Sequence, residues 1–547
     1  MNLQATFDIP EICYQLGIRH AVISPGSRNG ALTIAFSQHG GIECLSVPDE
    51  RSAAFIALGI SLKSKVPSVL ICTSGSAGLN YFPAIAEAFF NRVPMLVLTA
   101  DRPPELIDIR DGQTIFQREM YGKHVRAFFD ISVNEKLDDT HKIVQDAIQT
   151  ASWEIQGPVH INLPFEEPFY PDEVLLPSKL SISKKAENNP QVGFPAKEFS
   201  DYQNVLIIVG QESFDLQFIK SLSSVSENIN IPVISDVIGN VSELDTLIRF
   251  QDLVLKDEKN ELKPDLVITF GLSVLSKNLK NFLRNNDRLD HWHVDAHDDA
   301  VDTFGKLKKR IHQKPEDFLC QLLATGSPQQ PQIEYFENWQ KANSYVASKL
   351  SALKLDTFTD ACAYQSILSE LPANIDLHLA NSMAVRYINY FGLKSKTGIE
   401  VFCNRGTSGI DGSNSTAVGT ALVSNKATLL ITGDMAFLYD RNAFWHNHVP
   451  ENLKIIVINN EGGGIFRLIK GPSDHEELEP YFETQQKSTA RHLSEEFGFD
   501  YFEIRHIKQL KNILQSFFRN SNRSLLEIFT NKEENETAFR QMIDFCS

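Results

Sequence analysis

Leu429-Leu430-Ile431-Thr432-Gly433-Asp434 and Ile455-Ile456-Val457-Ile458-Asn459-Asn460-Glu461-Gly462 decide how this chain folds. Each is a short apolar run, rich in β-branched residues, that stops at a polar turn. That is the pattern of a strand buried on both faces. The 26 residues from Asp434 to Asn460 leave room for one helical crossover, so the two strands are expected to lie parallel and adjacent. Ligands of open parallel sheets bind at the carboxyl ends of the strands. A carboxylate (Asp434), an amide (Asn460) and a freed carbonyl (Gly462) therefore emerge side by side. The set is all oxygen, which suits Mg²⁺, or Mn²⁺ in its place, completed by water and phosphate oxygens. A lone Gly-Asp turn would carry no such meaning; two such turns at this spacing do.

The same grammar extends outward. In the last unit, strands are also expected at Asp376–Ala380, Glu400–Cys403 and Leu525–Phe529. The first unit offers Ala21–Ser24, Cys44–Val47, Ser68–Cys72, Met95–Thr99 and Val159–Leu163, with helices at Ser52–Ser64 and Ala77–Phe90. A middle unit offers Val205–Val209, Val233–Ser235, Leu266–Phe270 and His291–Val294. Polar, proline-bearing stretches at 171–200 and 325–331 separate them. The fold class is α/β, with three successive parallel-sheet domains at 1–180, 200–330 and 355–547.

A length of 547 residues fits three to four domains, and 42% hydrophobic residues supply large cores. The net charge of −17 argues against a general nucleic-acid binder. Seven scattered cysteines without a C-x-x-C pair argue against a zinc site or a disulfide framework. No apolar run approaches a membrane span, and the N-terminus lacks a secretory signal, so the cytoplasm is the expected compartment.

The Gly-Asp and Asn-Asn pair resembles the thiamine-diphosphate signature. More motifs narrow the resemblance: Ser24-Pro25-Gly26-Ser27-Arg28-Asn29, Pro48-Asp49-Glu50-Arg51-Ser52-Ala53, Thr73-Ser74-Gly75-Ser76, Thr99-Ala100-Asp101-Arg102-Pro103-Pro104, Asn381-Ser382-Met383-Ala384-Val385-Arg386 and Asn404-Arg405-Gly406-Thr407-Ser408-Gly409-Ile410-Asp411-Gly412. Together they are similar to the 2-succinyl-5-enolpyruvyl-6-hydroxy-3-cyclohexene-1-carboxylate synthase family of menaquinone biosynthesis.

That resemblance implies a transferase using thiamine diphosphate and Mg²⁺. It would decarboxylate 2-oxoglutarate and add the succinyl-semialdehyde carbanion equivalent to isochorismate in a conjugate addition. The first domain would bind the pyrimidine, with Glu50 as the catalytic proton-exchanging acid, and the last would bind the diphosphate and metal. Asp434, Asn460 and Gly462 would be the metal ligands, and Ile410 would hold the cofactor in its bent form. Ser27, Arg28, Arg102, Gln113, Lys277, Ser382, Arg386 and Arg405 would contact the substrates, and Ile465 with Phe466 would form an apolar wall. Both substrates carry two carboxylates, which planar arginine forks match. The family also implies a homodimer or dimer of dimers with shared sites. The small residues Ala53, Ala54 and Ala57 suit either such an interface or an internal helix contact.

Gly112 and Asn278 depart from the family, which has Asn and frequently Arg there. The middle unit lacks G-x-G-x-x-G after its first strand, so neither FAD nor NAD is expected. The alternative enzyme is another thiamine-dependent 2-oxoacid decarboxylase or carboligase. Many simple decarboxylases carry adjacent histidines in the first domain, and this chain has none there. A non-catalytic scaffold would be expected to have lost Glu50 or Asp434, and both remain.

Overall fold

The computed structural model describes residues 2–547 except 154, 168, 171–174, 181, 183–192, 258, 298–300, 325–329 and 394–396. Those parts of the two expected linkers lie outside the described residues. Three parallel sheets follow one another along the chain. The first contains β1 (His20–Ile23), β2 (Glu43–Ser46), β3 (Ser68–Cys72), β4 (Met95–Asp101), β5 (Ala127–Asp130) and β6 (Pro158–Pro164), in the order β2-β1-β3-β4-β6-β5. The middle one contains β7 (Val205–Val209), β8 (Val233–Ser235), β9 (Leu266–Phe270), β10 (Asp290–Asp295) and β11 (Leu307–His312), in the order β11-β10-β9-β7-β8. The last contains β12 (Ile375–Leu379), β13 (Glu400–Phe402), β14 (Ala427–Gly433), β15 (Leu453–Asn459), β16 (Asp500–Ile504) and β17 (Ser524–Phe529), in the order β13-β12-β14-β15-β17-β16. The two outer sheets thus share one topology.

Both faces of these sheets are covered. In β3, Leu70 and Cys72 pack toward the helix Glu50–Ser64, while Val69 and Ile71 join the core of the opposite face with Ile9, Leu32 and Val144. One apolar core runs from the first unit into the last, joining Ala53, Ala54 and Ala57 to Ala417, Val418, Leu430 and Ile455. Its centre is the crossing of helix Glu50–Ser64 with helix Ser413–Val423. A Cβ on Gly59 would lie 2.1 Å from the Thr416 carbonyl oxygen, and one on Gly419 would lie 2.0 Å from that of Ile56. The small residues after Glu50 therefore serve a contact within the chain.

The expected strands form within two residues of their predicted ends. Three strands were not anticipated: β5, β11 and β16, each at a sheet edge. The helix expected over Ala77–Phe90 is divided at Tyr81 into Ser76–Asn80 and Phe82–Phe90. All seven cysteines are free. Among the described residues no helix is long and apolar enough to cross a membrane.

Candidate active site

At the carboxyl ends of β12, β14 and β15 lies a cavity of about 270 Å³. Its walls include Ser382, Ile410, Asp434, Asn460, Gly462, Ile465 and Phe466, so the structure gathers these predicted residues around one space. Asp434 is 3% exposed. Its Oδ1 accepts from the Met435 amide (2.9 Å) and its Oδ2 from Gln486 Nε2 (2.7 Å). Burial pushes its carboxyl up to about 7, against the lowering effect of those bonds.

The two asparagines have different tasks. Asn459 is buried and structural: its Nδ2 donates to Glu527 Oε1 (2.7 Å) and the Ser488 carbonyl, and its Oδ1 accepts from the Glu461 amide. Asn460 donates through Nδ2 to Asp360 Oδ2 (3.0 Å), and its Oδ1 is buried with no hydrogen-bond partner. The turn that follows places Glu461 at φ 63° and Gly462 at φ 154°. A Cβ at Gly462 would meet the Glu483 carbonyl at 2.8 Å. The Gly462 carbonyl accepts from the Gly464 amide and keeps a second lone pair. A buried carboxyl, an orphaned amide oxygen and a turn carbonyl form a hard-oxygen set, so these residues fit a Mg²⁺ ion. Among the described residues no cluster of three His, Cys, Asp or Glu side chains offers a rival metal site.

Beside this cavity stand two arginines. Arg386 Nη1 donates to the Ser382 carbonyl, and Arg405 Nη1 donates to Asn381 Oδ1 (2.9 Å). Ser382 sits at φ 71°, in the left-handed region, where it starts the helix Met383–Phe391. Asn389 of that helix donates to Asp236 and Asp252 of the middle unit, which fixes the helix bearing Arg386. Burial, and then Arg405, lower the Arg386 pKa. Among the described residues neither arginine has a carboxylate within salt-bridge distance, and Arg405 Nε is buried without a partner. Two adjacent, unneutralised guanidinium groups are suited to an anionic ligand.

A second group gathers at the strand ends of the first unit. Asp49 caps the helix Glu50–Ser64 by accepting from the Ser52 amide (3.0 Å), which places Glu50 at the first helical position. Arg28 is buried, with Nη1 on the Phe165 carbonyl (2.6 Å) and its guanidinium 4.1 Å from the Phe169 ring centroid. Gly26 lets the loop of Ser27 close on Thr73, for a Cβ there would lie 2.4 Å from the Thr73 Cβ. Gln113, at φ 61°, lies over Gly75. Arg102 is tied to its own loop, through Nε to the Gly112 carbonyl (2.7 Å) and beside Asp111 (3.3 Å). None of these first-unit residues, nor Lys277, which is exposed, lines the cavity of the last unit. The expected site residues of the first and last units thus fall into two separate groups.

The first unit matches the thiamine pyrophosphate enzyme, N-terminal TPP binding domain, over residues 5–125. The middle domain of thiamine pyrophosphate enzymes matches residues 196–379. The 2-succinyl-5-enolpyruvyl-6-hydroxy-3-cyclohexene-1-carboxylate synthase of Cytophaga hutchinsonii is 43% identical to this chain, with 98% of each covered. The enzymes of that name from Flavobacterium psychrophilum (39% identical, 96% of each chain) and Porphyromonas gingivalis (35% identical, 97% of this chain and 95% of that one) agree. The chain belongs to the 2-succinyl-5-enolpyruvyl-6-hydroxy-3-cyclohexene-1-carboxylate synthase family.

For this synthase-family chain the motif reading overlooked several supports. Glu87 is 1% exposed and accepts from the Gly406 amide (2.8 Å), the Thr407 amide (2.6 Å), the Thr407 hydroxyl and Asn91. It thereby clamps the loop carrying Arg405 and Ile410. Its signal was present: it is the lone charge in the apolar helix FPAIAEAFF. Gln117, also buried, accepts from the Gly75 amide (2.9 Å) and donates to Asn162. Gln486 and Asp360 reach the site from distant segments, and no local pattern marks them.

Proposed function

We propose that this chain decarboxylates 2-oxoglutarate and joins the remaining four-carbon unit to isochorismate by conjugate addition. The product is 2-succinyl-5-enolpyruvyl-6-hydroxy-3-cyclohexene-1-carboxylate, for menaquinone biosynthesis in the cytoplasm. The observation that carries this reading is the cavity where Asp434, the partnerless Asn460 oxygen and Gly462 converge beside Arg386 and Arg405. Thiamine diphosphate, when bound, supplies the electron sink for breaking and making the carbon–carbon bonds.

The chain's own residues have separable tasks. Asp434, Asn460 and Gly462 would hold Mg²⁺, with Mn²⁺ able to replace it, and so anchor the diphosphate. Glu50 would hold the exchangeable proton at the ring end of the cofactor. Ile410, 37% exposed at the cavity wall, would support the cofactor there. Arg386 and Arg405, with Ser382, receive substrate carboxylates; Ser27, Arg28, Arg102, Gln113 and Lys277 contribute from the other units. Ile465 and Phe466 keep water from the reacting carbon. Domains 1–180, 200–330 and 355–547 carry these tasks without FAD or NAD.

Glu50 lies in one group and Asp434 in the other, which supports a homodimer, or a dimer of dimers, whose sites are built from two chains. Mixing Glu50→Gln and Asp434→Ala chains tests this. Reassembled at random, half the dimers are mixed and about a quarter of all sites are intact. No recovered activity in confirmed mixed dimers would refute sharing. The overall reaction is tested with 2-oxoglutarate, isochorismate, thiamine diphosphate and Mg²⁺, following the loss of isochorismate. Consumption of 2-oxoglutarate with isochorismate untouched would make the chain a simple decarboxylase.

A further inference from the structure

The two side-chain ligands of the proposed metal site differ in one respect. Asp434 carries two oxygens, so either side of its carboxylate can face a cation. Asn460 carries an oxygen on one side and an NH₂ on the other, and a half-turn of its amide presents the wrong group. The spacing of Gly-Asp and Asn-Asn does not specify which side faces the site.

In the folded chain a residue one hundred positions upstream makes that choice. Asp360 opens the helix Asp360–Glu370, is 4% exposed and lines the same cavity. Its Oδ2 accepts from Asn460 Nδ2 at 3.0 Å. Its Oδ1 accepts from the Thr530 hydroxyl (2.6 Å) and from Asn535 Nδ2 (2.9 Å). Its backbone N–H donates to Asn535 Oδ1 (2.8 Å), and Asn535 Nδ2 also donates to Thr530 Oγ1 (3.1 Å). Thr530, Asn535 and Asn460 each donate to the carboxylate, and these bonds favour its ionised form, which accepts only, against the burial that raises its pKa. The amide of Asn460 must therefore turn its nitrogen toward Asp360, and its oxygen is left buried and partnerless. A flipped amide would set two oxygens face to face and put N–H bonds where a cation needs a ligand. Gly464 allows the arrangement, since a Cβ there would come within 3.1 Å of Asn460 Nδ2.

We propose that Asp360, buttressed by Thr530 and Asn535, is a positioning residue that locks the amide of Asn460 with its oxygen toward the metal. The proposal rests on the reading of Asp434, Asn460 and Gly462 as the Mg²⁺ site. Asp360→Asn keeps the shape and the bonds from Thr530 and Asn535 but presents an NH₂ to Asn460. The Asn460 amide then flips, and metal affinity should fall by about 10–100-fold, the usual effect of losing a partner behind a ligand. The exchange Asp360→Asn with Asn460→Asp restores the hydrogen bond with donor and acceptor reversed, and leaves a carboxylate oxygen for the metal.

The readout is direct Mn²⁺ binding, measured by electron paramagnetic resonance of the free ion at saturating thiamine diphosphate, without turnover. We expect weak binding in Asp360→Asn, recovery to within a few-fold of wild type in the exchanged pair, and loss of binding in Asp434→Ala. Wild-type affinity in Asp360→Asn overturns the positioning role. So does an exchanged pair that binds no better than Asp360→Asn, because damage to the fold would not be repaired by the exchange. Undiminished binding in Asp434→Ala instead overturns the metal reading, and this inference with it.

Discussion

Gly59→Ala tests the crossing that ties the first unit to the last. In most helices this change stabilises, by about 1 kcal/mol, because alanine loses less backbone freedom than glycine. Here the new Cβ would stand 2.1 Å from the Thr416 carbonyl oxygen and 2.9 Å from the Thr420 amide nitrogen. Both obstacles are backbone, so no rotamer change relieves them, and the helix must withdraw by about 1.4 Å to reach a contact of roughly 3.5 Å. Overpacking of this kind costs about 1–3 kcal/mol, and the rigidity of both helices places this site at or above the upper end. The net expectation is a loss of about 2 kcal/mol. For a cooperative unit of 150–250 residues that lowers the melting temperature by about 4–8 °C. Glu50 opens the same helix, so the retreat also moves its carboxyl. A misplacement near 1 Å costs on the order of 10²-fold in rate. Scanning calorimetry of the cofactor-free protein and isochorismate consumption by the loaded enzyme measure the two effects separately. A melting temperature equal to or above that of the wild type would mean that intrinsic helix preference governs and that the two backbones do not meet as described.

Other outcomes follow from single side chains. Glu87→Gln replaces one accepting oxygen by an NH₂ that faces the Thr407 amide, so one buried N–H is orphaned at about 1–3 kcal/mol; a thermal midpoint matching the wild type would exclude the clamp. Arg405→Ala should lower kcat/KM by about 10–150-fold, the equivalent of one charged hydrogen bond, while the stabilisation of the protein by thiamine diphosphate persists; unchanged efficiency with both substrates would remove Arg405 from the anion pocket. Burial holds His378 neutral, with its pKa pushed down to about 3, and it stacks on Phe402 at 4.9 Å. The unfolded chain takes up a proton near pH 6.5 that the folded chain refuses, so this contribution to stability is full above pH 6.5 and is lost as the pH falls toward 3. Between pH 7.5 and 5.5 the wild type should lose about 1.4 kcal/mol more than His378→Phe, read from urea midpoints at the two pH values; parallel losses would contradict the buried neutral ring.

What could be read from the sequence followed burial. Strands such as β3 are buried along their whole length, so SVLIC has no need of polar residues and stands out as an apolar run. The edge strands β5, β11 and β16 pair on one side only and are mostly half-buried or exposed. Sequences such as LKKRIH therefore carry no apolar signature, and tertiary pairing alone makes them strands. The expected helix is divided at Tyr81 because Pro83, in the first turn of Phe82–Phe90, has no N–H to continue the preceding helix, while the Tyr81 hydroxyl bonds Ser24 and the Ile71 carbonyl.

The site divides in the same way. Asp434, Asn460 and Gly462 follow directly on strands, and a parallel sheet delivers the ends of neighbouring strands to one place, so chain position alone was enough to pair them. The bonds that tie Asn459 to Glu527, Asn460 to Asp360, the loop of Arg405 to Glu87 and Asp434 to Gln486 were not legible in the sequence. These side chains meet the motif loops across 52 to 320 residues of chain. A buried polar atom takes whichever partner the packed fold sets beside it, and that neighbour leaves no periodicity or spacing in the linear text.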